Sequence, residues 1–311
     1  MTERIVTWSP TVAHLGQCHV AMGVFDGVHL GHQTLITDCV VGARSAGVCG
    51  GVVTFDRDPD LVVTPDSAAP QLLPLSQKLH EILNLDVDFI LVIPFDAHMA
   101  TLPPERFLDE VLLTASSPSL IHVGHDFRFG RYAEGDVATL RELGGPRGLS
   151  VADRELVMSD GEPITSTRIR QLVTSGDVVA ARNLLGRSHR VSGTVTRGRG
   201  AGADLGFRTA NLRPTEHAAL PADGVYAGFV RVGEARYPAG ISVGVPPTFK
   251  EASDLLEAHL IGFEGDLYGK DVIVEFVRRI RAQRAFDSMP ELTQAISADI
   301  ELITNILGVQ S

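Results

Sequence analysis

Cysteine is nearly absent from this chain. Its 311 residues include three, Cys18, Cys39 and Cys49, an odd number with no metal-ligand spacing. That excludes a disulfide-stapled secreted scaffold and leaves reduced thiols, buried or spare, as expected in a cytoplasmic protein. Long apolar runs are missing as well. None approaches the ~20 residues needed to span a bilayer, and the opening "MTERIVTWSP" lacks the apolar core of a secretory signal. Positive charge is outweighed: 27 lysines and arginines stand against 38 aspartates and glutamates, a formal net charge of −11. A surface of that sign speaks against a general nucleic-acid or membrane partner, though a local cationic pocket for a nucleotide stays open. There is no internal repeat and no low-complexity linker.

What is present is a soluble, globular balance, 44% hydrophobic and 21% charged, in a chain long enough for two domains. From about residue 19 to 153, apolar β-rich runs ("HVAMGVF", "GGVVTF", "VDFILVI", "SLIHVG", "LSVAD") alternate with segments of helical spacing ("HQTLITDCVVGARSAG", "SQKLHEILNLD", "PERFLDEVLLTA"). That alternation predicts a Rossmann-like α/β domain with a parallel sheet. "TSTRIRQLVTSGDVVAARNLLG" predicts two short helices broken at Ser175-Gly176-Asp177. After Gly186 the texture changes to strands separated by glycine-rich turns, the pattern of an antiparallel barrel or sandwich. A terminal helix follows, with Pro290 in its first turn. The boundary is expected near 186/187, giving domains 1–186 and 187–311.

The most informative stretch is "GVFDGVHLGHQ", residues 23–33. The pattern places a strand ending at Phe25, a turn through Asp26-Gly27, and a helix starting near Gly31. Ligands of open α/β sheets sit beyond the carboxyl ends of strands, and phosphates favour helix N-termini. His29 and His32, at i and i+3, can converge on one face there, and Gly31 permits close backbone approach. The residues alone admit a metal site, a structural pair at a turn, or donors to a phosphate. Further along, Ser166 and Thr167 would cap a helix start, with Arg170 one turn on. They offer hydroxyls and a guanidinium to phosphates, or form an ordinary cap with a surface arginine. In the second half, Gly198 and Gly200 lie in a glycine-rich loop ahead of Thr209 and Asn211. Backbone amides of such a loop can fold around phosphates, while a hydroxyl and an amide oxygen suit magnesium.

These strings come in a familiar order. G-x-F-D-G-x-H-x-G-H, then "VGHDFRFG" and "ITSTRIR", resemble the H-x-G-H nucleotidyltransferases of the FAD synthetase branch. "GFRTAN", "DGVYAG", "VGVPPTF" and "EAHLIGFEGDLYGK" resemble riboflavin kinase. From about Cys18 to Glu301 the chain resembles the prokaryotic bifunctional riboflavin kinase/FMN adenylyltransferases. The resemblance implies a six-stranded kinase-type barrel in the second half and two ATP-dependent, magnesium-assisted steps. Riboflavin, FMN, FAD and ATP/ADP would be the ligands, and a homo-oligomer is compatible with it. It also implies catalytic roles for His29, His32 and Glu257, the last as base on the flavin hydroxyl. ATP contacts would come from Gly23, Phe25, Asp26, Gly31, Ser166, Thr167 and Arg170, with Asp126 and Phe127 on the ribose or flavin side. In the kinase half, Gly198, Gly200, Thr209 and Asn211 would bind ATP, the last two also holding magnesium.

The chain departs from that pattern at Arg57 and Asp58 in "TFDRDP", at Arg208 in "GFRTAN" and at Pro246 in "VGVPPTF". Proline offers no backbone donor and no polar side chain. The alternatives these departures raise are a specialised or one-activity relative, a non-catalytic flavin or nucleotide sensor, and an H-x-G-H enzyme of different substrate.

Overall fold

The computed structural model describes residues 4–197, 207, 209–244 and 256–309. The chain packs as two compact units, Met1–Ala69 with Leu75–Thr165, and Pro70–Pro74 with Ser166–Ser311.

The first unit runs through β1 (Ile5–Thr7), β2 (Gln17–Met22), α1 (Leu30–Ala46), β3 (Cys49–Phe55), α2 (Asp60–Val63), α3 (Leu75–Leu83) and β4 (Phe89–Ile93). A helical stretch follows, from α4 (Pro104–Arg106) through a π turn to α5 (Leu113–Ala115). Then come β5 (Ser117–Gly124), α6 (Val137–Gly144), β6 (Ser150–Arg154) and a small hairpin of β7 (Met158–Ser159) and β8 (Glu162–Pro163). The sheet order is β1-β4-β3-β2-β5-β6, and every pairing in it is parallel. Its central strands are buried on both faces, which is why they read as unbroken apolar runs. Helix α1 turns Leu35, Ile36, Cys39, Val40 and Ala43 inward at helical spacing and ends at Gly47 in a left-handed cap. Cys18 and Cys39 are buried and Cys49 is exposed, all as free thiols.

In the second unit α7 (Ser166–Ser175) and α8 (Val178–Leu185) precede a closed barrel. Its strands are β9 (His189–Thr196), β10 (Ala210–Pro214), β11 (Gly224–Val232), β12 (Ala235–Val243), β13 (Leu256–Leu260) and β14 (Asp271–Arg281), in the order β10-β13-β12-β11-β14-β9. Strict in–out alternation along β9 and β13 sends Val191, Val195, Leu256 and Ala258 into the barrel core. Helix α9 (Met289–Leu307) starts at Ser288, whose hydroxyl accepts from the Glu291 N–H, and carries Pro290 in its first turn.

Sequence and structure differ at several points. Strand β2 stops at Met22 rather than Phe25, because Phe25 adopts left-handed backbone (φ 55°) that no strand can contain. Helix α7 begins at Ser166 itself, so Ser166 and Thr167 stand inside its first turn and Thr165 at its cap position. Four strands were not among the sequence candidates: β1 at the sheet edge, the hairpin pair β7 and β8, and β10. By contacts α7 and α8 join the second unit, since α8 lays Val178, Ala181, Leu184 and Leu185 against β9 and β14.

Candidate functional site

All strands of the first sheet run the same way, so the segments leaving β2, β3 and β5 emerge on one edge. After β2 the backbone is contorted. Phe25 (φ 55°), Gly27 (φ 77°) and Val28 (φ 39°) are all left-handed around the short helical turn Asp26–Val28. For a β-branched residue such as Val28 this is rare, and each such residue costs roughly 1–3 kcal/mol. The turn delivers His29, 4% exposed, to the start of α1.

There the two histidines meet. His29 Nδ1 accepts the His32 N–H at 3.3 Å and so caps the helix. The rings stack with centroids 3.5 Å apart, and Phe25 packs edge-on against His32 at 5.2 Å. Because Nδ1 accepts, it carries no proton, and the ring N–H is on Nε2. Burial holds His32 well below the ordinary imidazole range, reinforced by His29 and Lys78 nearby, so the ring is neutral near pH 7. Its Nδ1 is buried and has no hydrogen-bond partner among the described residues. A Cβ at Gly31 would sit 3.2 Å from the His29 ring, so the missing side chain leaves room for that ring. Gly23 similarly leaves room for the Phe25 ring, 3.2 Å from where its Cβ would be. Asp26, the first residue of the turn, is buried.

Beyond β5, Asp126 is exposed and Phe127 stacks on Phe129, with centroids 5.6 Å apart. Beyond β3, the two departures are locally satisfied. Arg57 lies against the Asp56 carboxylate, its Nη2 2.8 Å from Oδ2, and Asp58 Oδ1 accepts the Asp60 N–H at the start of α2. Burial alone would raise the Asp56 carboxyl, but hydrogen bonds from Arg57 and the Phe95 N–H hold it below its ordinary range. Two residues here were not singled out as site residues from the sequence, although Thr54 opens the "TFDRDP" string. Lys78 of α3, only 5% exposed, donates to the carbonyls of Phe55 (2.8 Å) and Val24 (3.1 Å). Thr54 donates to Val24 as well, at 3.1 Å. A lysine among polar helix residues looks solvent-facing until the fold shows what lies beneath it.

In the second unit, Ser166, Thr167 and Arg170 occupy the first turns of α7, and Arg170 Nε donates to the Pro70 carbonyl at 2.7 Å. On the barrel, Asn211 of β10 lies directly across from Glu257 of β13, which in turn faces Ser242 of β12. Neighbours Leu212, Leu256 and Ala258 point into the core, so the Asn211–Glu257 row lies on the outer face, with Thr209 just before the strand. Asn211 is nevertheless buried. Gly198, Gly200, Arg208 and Pro246 lie outside the described residues. Among the described residues no group of three or more His, Cys, Asp or Glu is placed to hold a metal, and no helix is long and apolar enough to cross a membrane.

The first unit thus carries a histidine pair at a strand end of a parallel α/β sheet, and the second a polar outer row on an antiparallel barrel. Comparison with known proteins makes this specific. Residues 11–168 match the FAD synthetase family and residues 185–307 the riboflavin kinase family. Proteins named bifunctional riboflavin kinase/FMN adenylyltransferase are similar along nearly their whole length. That of Escherichia coli K12 is 32% identical over 283 residues, covering 91% of this chain and 90% of the relative. That of Haemophilus influenzae is 33% identical, covering 91% and 92%, and that of Bacillus subtilis 32%, covering 90% and 89%. A Streptococcus pneumoniae crystal structure, described as a macrolide-efflux protein, superposes with a TM-score of 0.86 at 28% identity, covering 97% of this chain and 99% of its own. The chain belongs to the bifunctional riboflavin kinase/FMN adenylyltransferase family.

Proposed function

We propose that residues 1–186 carry FMN adenylylation and residues 187–311 riboflavin phosphorylation, so that one cytoplasmic chain makes FAD from riboflavin in two ATP-dependent steps. The observation that supports this best is that each half gathers its motif residues on one surface: His29 with His32 at the end of β2, and Asn211 with Glu257 across two barrel strands.

In the first step of the chemistry at β2, a phosphate oxygen of FMN attacks the α-phosphorus of ATP, and pyrophosphate leaves as the bond to its bridging oxygen breaks. No protein nucleophile is required, so the site acts by positioning and charge stabilisation. His29, with its proton on Nε2, and neutral His32 donate to the oxygens that gain charge. Gly23, Phe25, Asp26 and Gly31 shape the turn against ATP. Ser166, Thr167 and Arg170 hold the outer phosphates; the FAD synthetase match extends through Ser166 and Thr167 to residue 168. Asp126 and Phe127 serve the ribose or flavin side.

On the barrel, Glu257 accepts the proton of the riboflavin 5′-hydroxyl as that oxygen attacks the γ-phosphorus of ATP and ADP leaves. Thr209 and Asn211 present hydroxyl and amide oxygens, hard donors that fit magnesium. Bound there, the ion supplies charge neutralisation on the phosphates. Gly198 and Gly200, outside the described residues, are proposed to contribute backbone amides to the same phosphates.

The test supplies the protein with ATP and magnesium plus either riboflavin or FMN, and separates the flavins by chromatography. FAD is expected from both. His29→Asn is expected to lower FAD formation about 100-fold or more while FMN still forms from riboflavin, and Glu257→Gln to reverse that pattern. FAD from FMN alone would mean the kinase half is inactive, and no product from either would overturn the reading.

A further inference from the structure

The contorted turn before His29 is held at both flanks by side chains. Ahead of it, the Val24 carbonyl accepts from Lys78 Nζ and from Thr54 Oγ1, each at 3.1 Å. Behind it, the Val28 carbonyl accepts Gln33 Nε2 at 2.8 Å. The left-handed residues Phe25, Gly27 and Val28 fill this stretch, Val28 being the rear anchor itself, and the stacked histidines follow. Lys78 does more than satisfy one carbonyl. Its second bond, to Phe55, ties the end of β3 to the segment leaving β2, although the two strands end at different heights.

A buried ammonium is a poor device for packing a helix. Removing it from water is costly, and an apolar residue of similar volume is usually at least as stabilising. Desolvation here pushes Lys78 down to about 8, against the support of Asp26, Asp58 and Asp56. A group kept charged at that cost is best explained by the geometry it imposes. Thr54 is fully buried, and its hydroxyl converges on the same carbonyl.

We propose that Lys78 and Thr54 are positioning residues for adenylyl transfer, clamping the Val24 carbonyl so that the left-handed turn presents His29 and His32 to the reacting phosphates. This rests on the reading of the histidine pair as the adenylyl-transfer site. The clamp acts through the turn, so its loss affects turnover more than substrate binding.

The experiment uses the full chain with Lys78→Met and Thr54→Val, both close to isosteric. FAD formation from FMN is measured for kcat and KM, FMN formation from riboflavin is measured in parallel, and thermal melting checks folding. For Lys78→Met, kcat for FAD formation is expected to fall about 100-fold, as for a misplaced catalytic group, with KM changed by no more than about twofold. For Thr54→Val, the loss of one of two hydrogen bonds is expected to lower kcat about tenfold with the same unchanged KM. FMN formation should keep its wild-type rate in both. Folded variants that make FAD at the wild-type rate, or that raise KM alone, overturn the proposal. If Lys78→Met does not fold, Thr54→Val decides by the same criterion. A wild-type protein that makes no FAD overturns the underlying site reading instead.

Discussion

At the scale of single residues, the first site depends on contacts too close to tolerate additions. Gly31 is the sharpest case. A methyl group there would lie 3.2 Å from both Cε1 and Nδ1 of His29, a ring already stacked on His32 and bonded to its N–H. The ring would have to give by a few tenths of an ångström, which disturbs the stack on His32 and the bond to its N–H. Gly31→Ala is therefore expected to cut FAD formation by at least about tenfold while leaving FMN formation unchanged, read in the same flavin chromatography. The histidines themselves were legible in the sequence, because two imidazoles at i and i+3 among glycines are conspicuous. Lys78 and Thr54 were not: their importance lies in which backbone carbonyls they reach, across 54 and 30 positions of chain. Arg57 and Asp58 stood out as departures, yet each is accounted for by a short-range partner, Asp56 and the Asp60 N–H.

Secondary elements were legible where a local pattern specified them. The helix pair α7 and α8 follows from its Ser-Gly-Asp break: Gly176 is left-handed (φ 85°), and Asp177 Oδ1 accepts the Ala180 N–H at 2.9 Å. Asp177→Ala should cost about 1 kcal/mol, the usual worth of an N-cap, and lower the thermal midpoint measured by circular dichroism. Besides the two-residue hairpin strands β7 and β8, the strands missed were those whose pairing comes from elsewhere. β1 has three residues and one neighbour, β4. β10 emerges from a glycine-rich segment, ends in Pro214, and is a strand because β9 and β13 supply its hydrogen bonds. The early end of β2 was hidden for a similar reason. "GVF" continues an apolar run, and only the left-handed turn required by His29 breaks it.

For the whole molecule, the two architectures were readable from the change of texture near Gly186. Which unit claims α7 and α8 depends on packing and was not readable. Both units also bury a histidine in neutral form. Burial, with His19 and Arg154 nearby, lowers His122 to about 4, and burial lowers His189 to about 4 despite its bond to the Ala219 carbonyl. In the unfolded chain each titrates near 6.5. Stability should thus be complete above that value and fall as pH drops toward 4, where the native rings begin to protonate as well. The full effect is on the order of 3 kcal/mol per histidine. Urea unfolding between pH 7.5 and 4.5 should show the midpoint declining with acid, and His122→Gln should flatten part of that slope.

The short excursion Pro70–Pro74 has a consequence for how such a chain can be rearranged. Although it sits in the first half of the sequence, it packs with the second unit. Gln71 exchanges hydrogen bonds with His217 and Ala219, and Pro70 receives the Arg170 side chain. The polypeptide therefore crosses between units three times, at 69/70, 74/75 and 165/166. A gene fragment that starts at Ser166 would encode a barrel missing one of its own parts, and a fragment that stops at Thr165 would carry that part with nothing to bind it. Modules exchanged between relatives at a single crossover after residue 165 would inherit a mismatched insert, so recombination should favour parents already matched at residues 70–74 and 217–219.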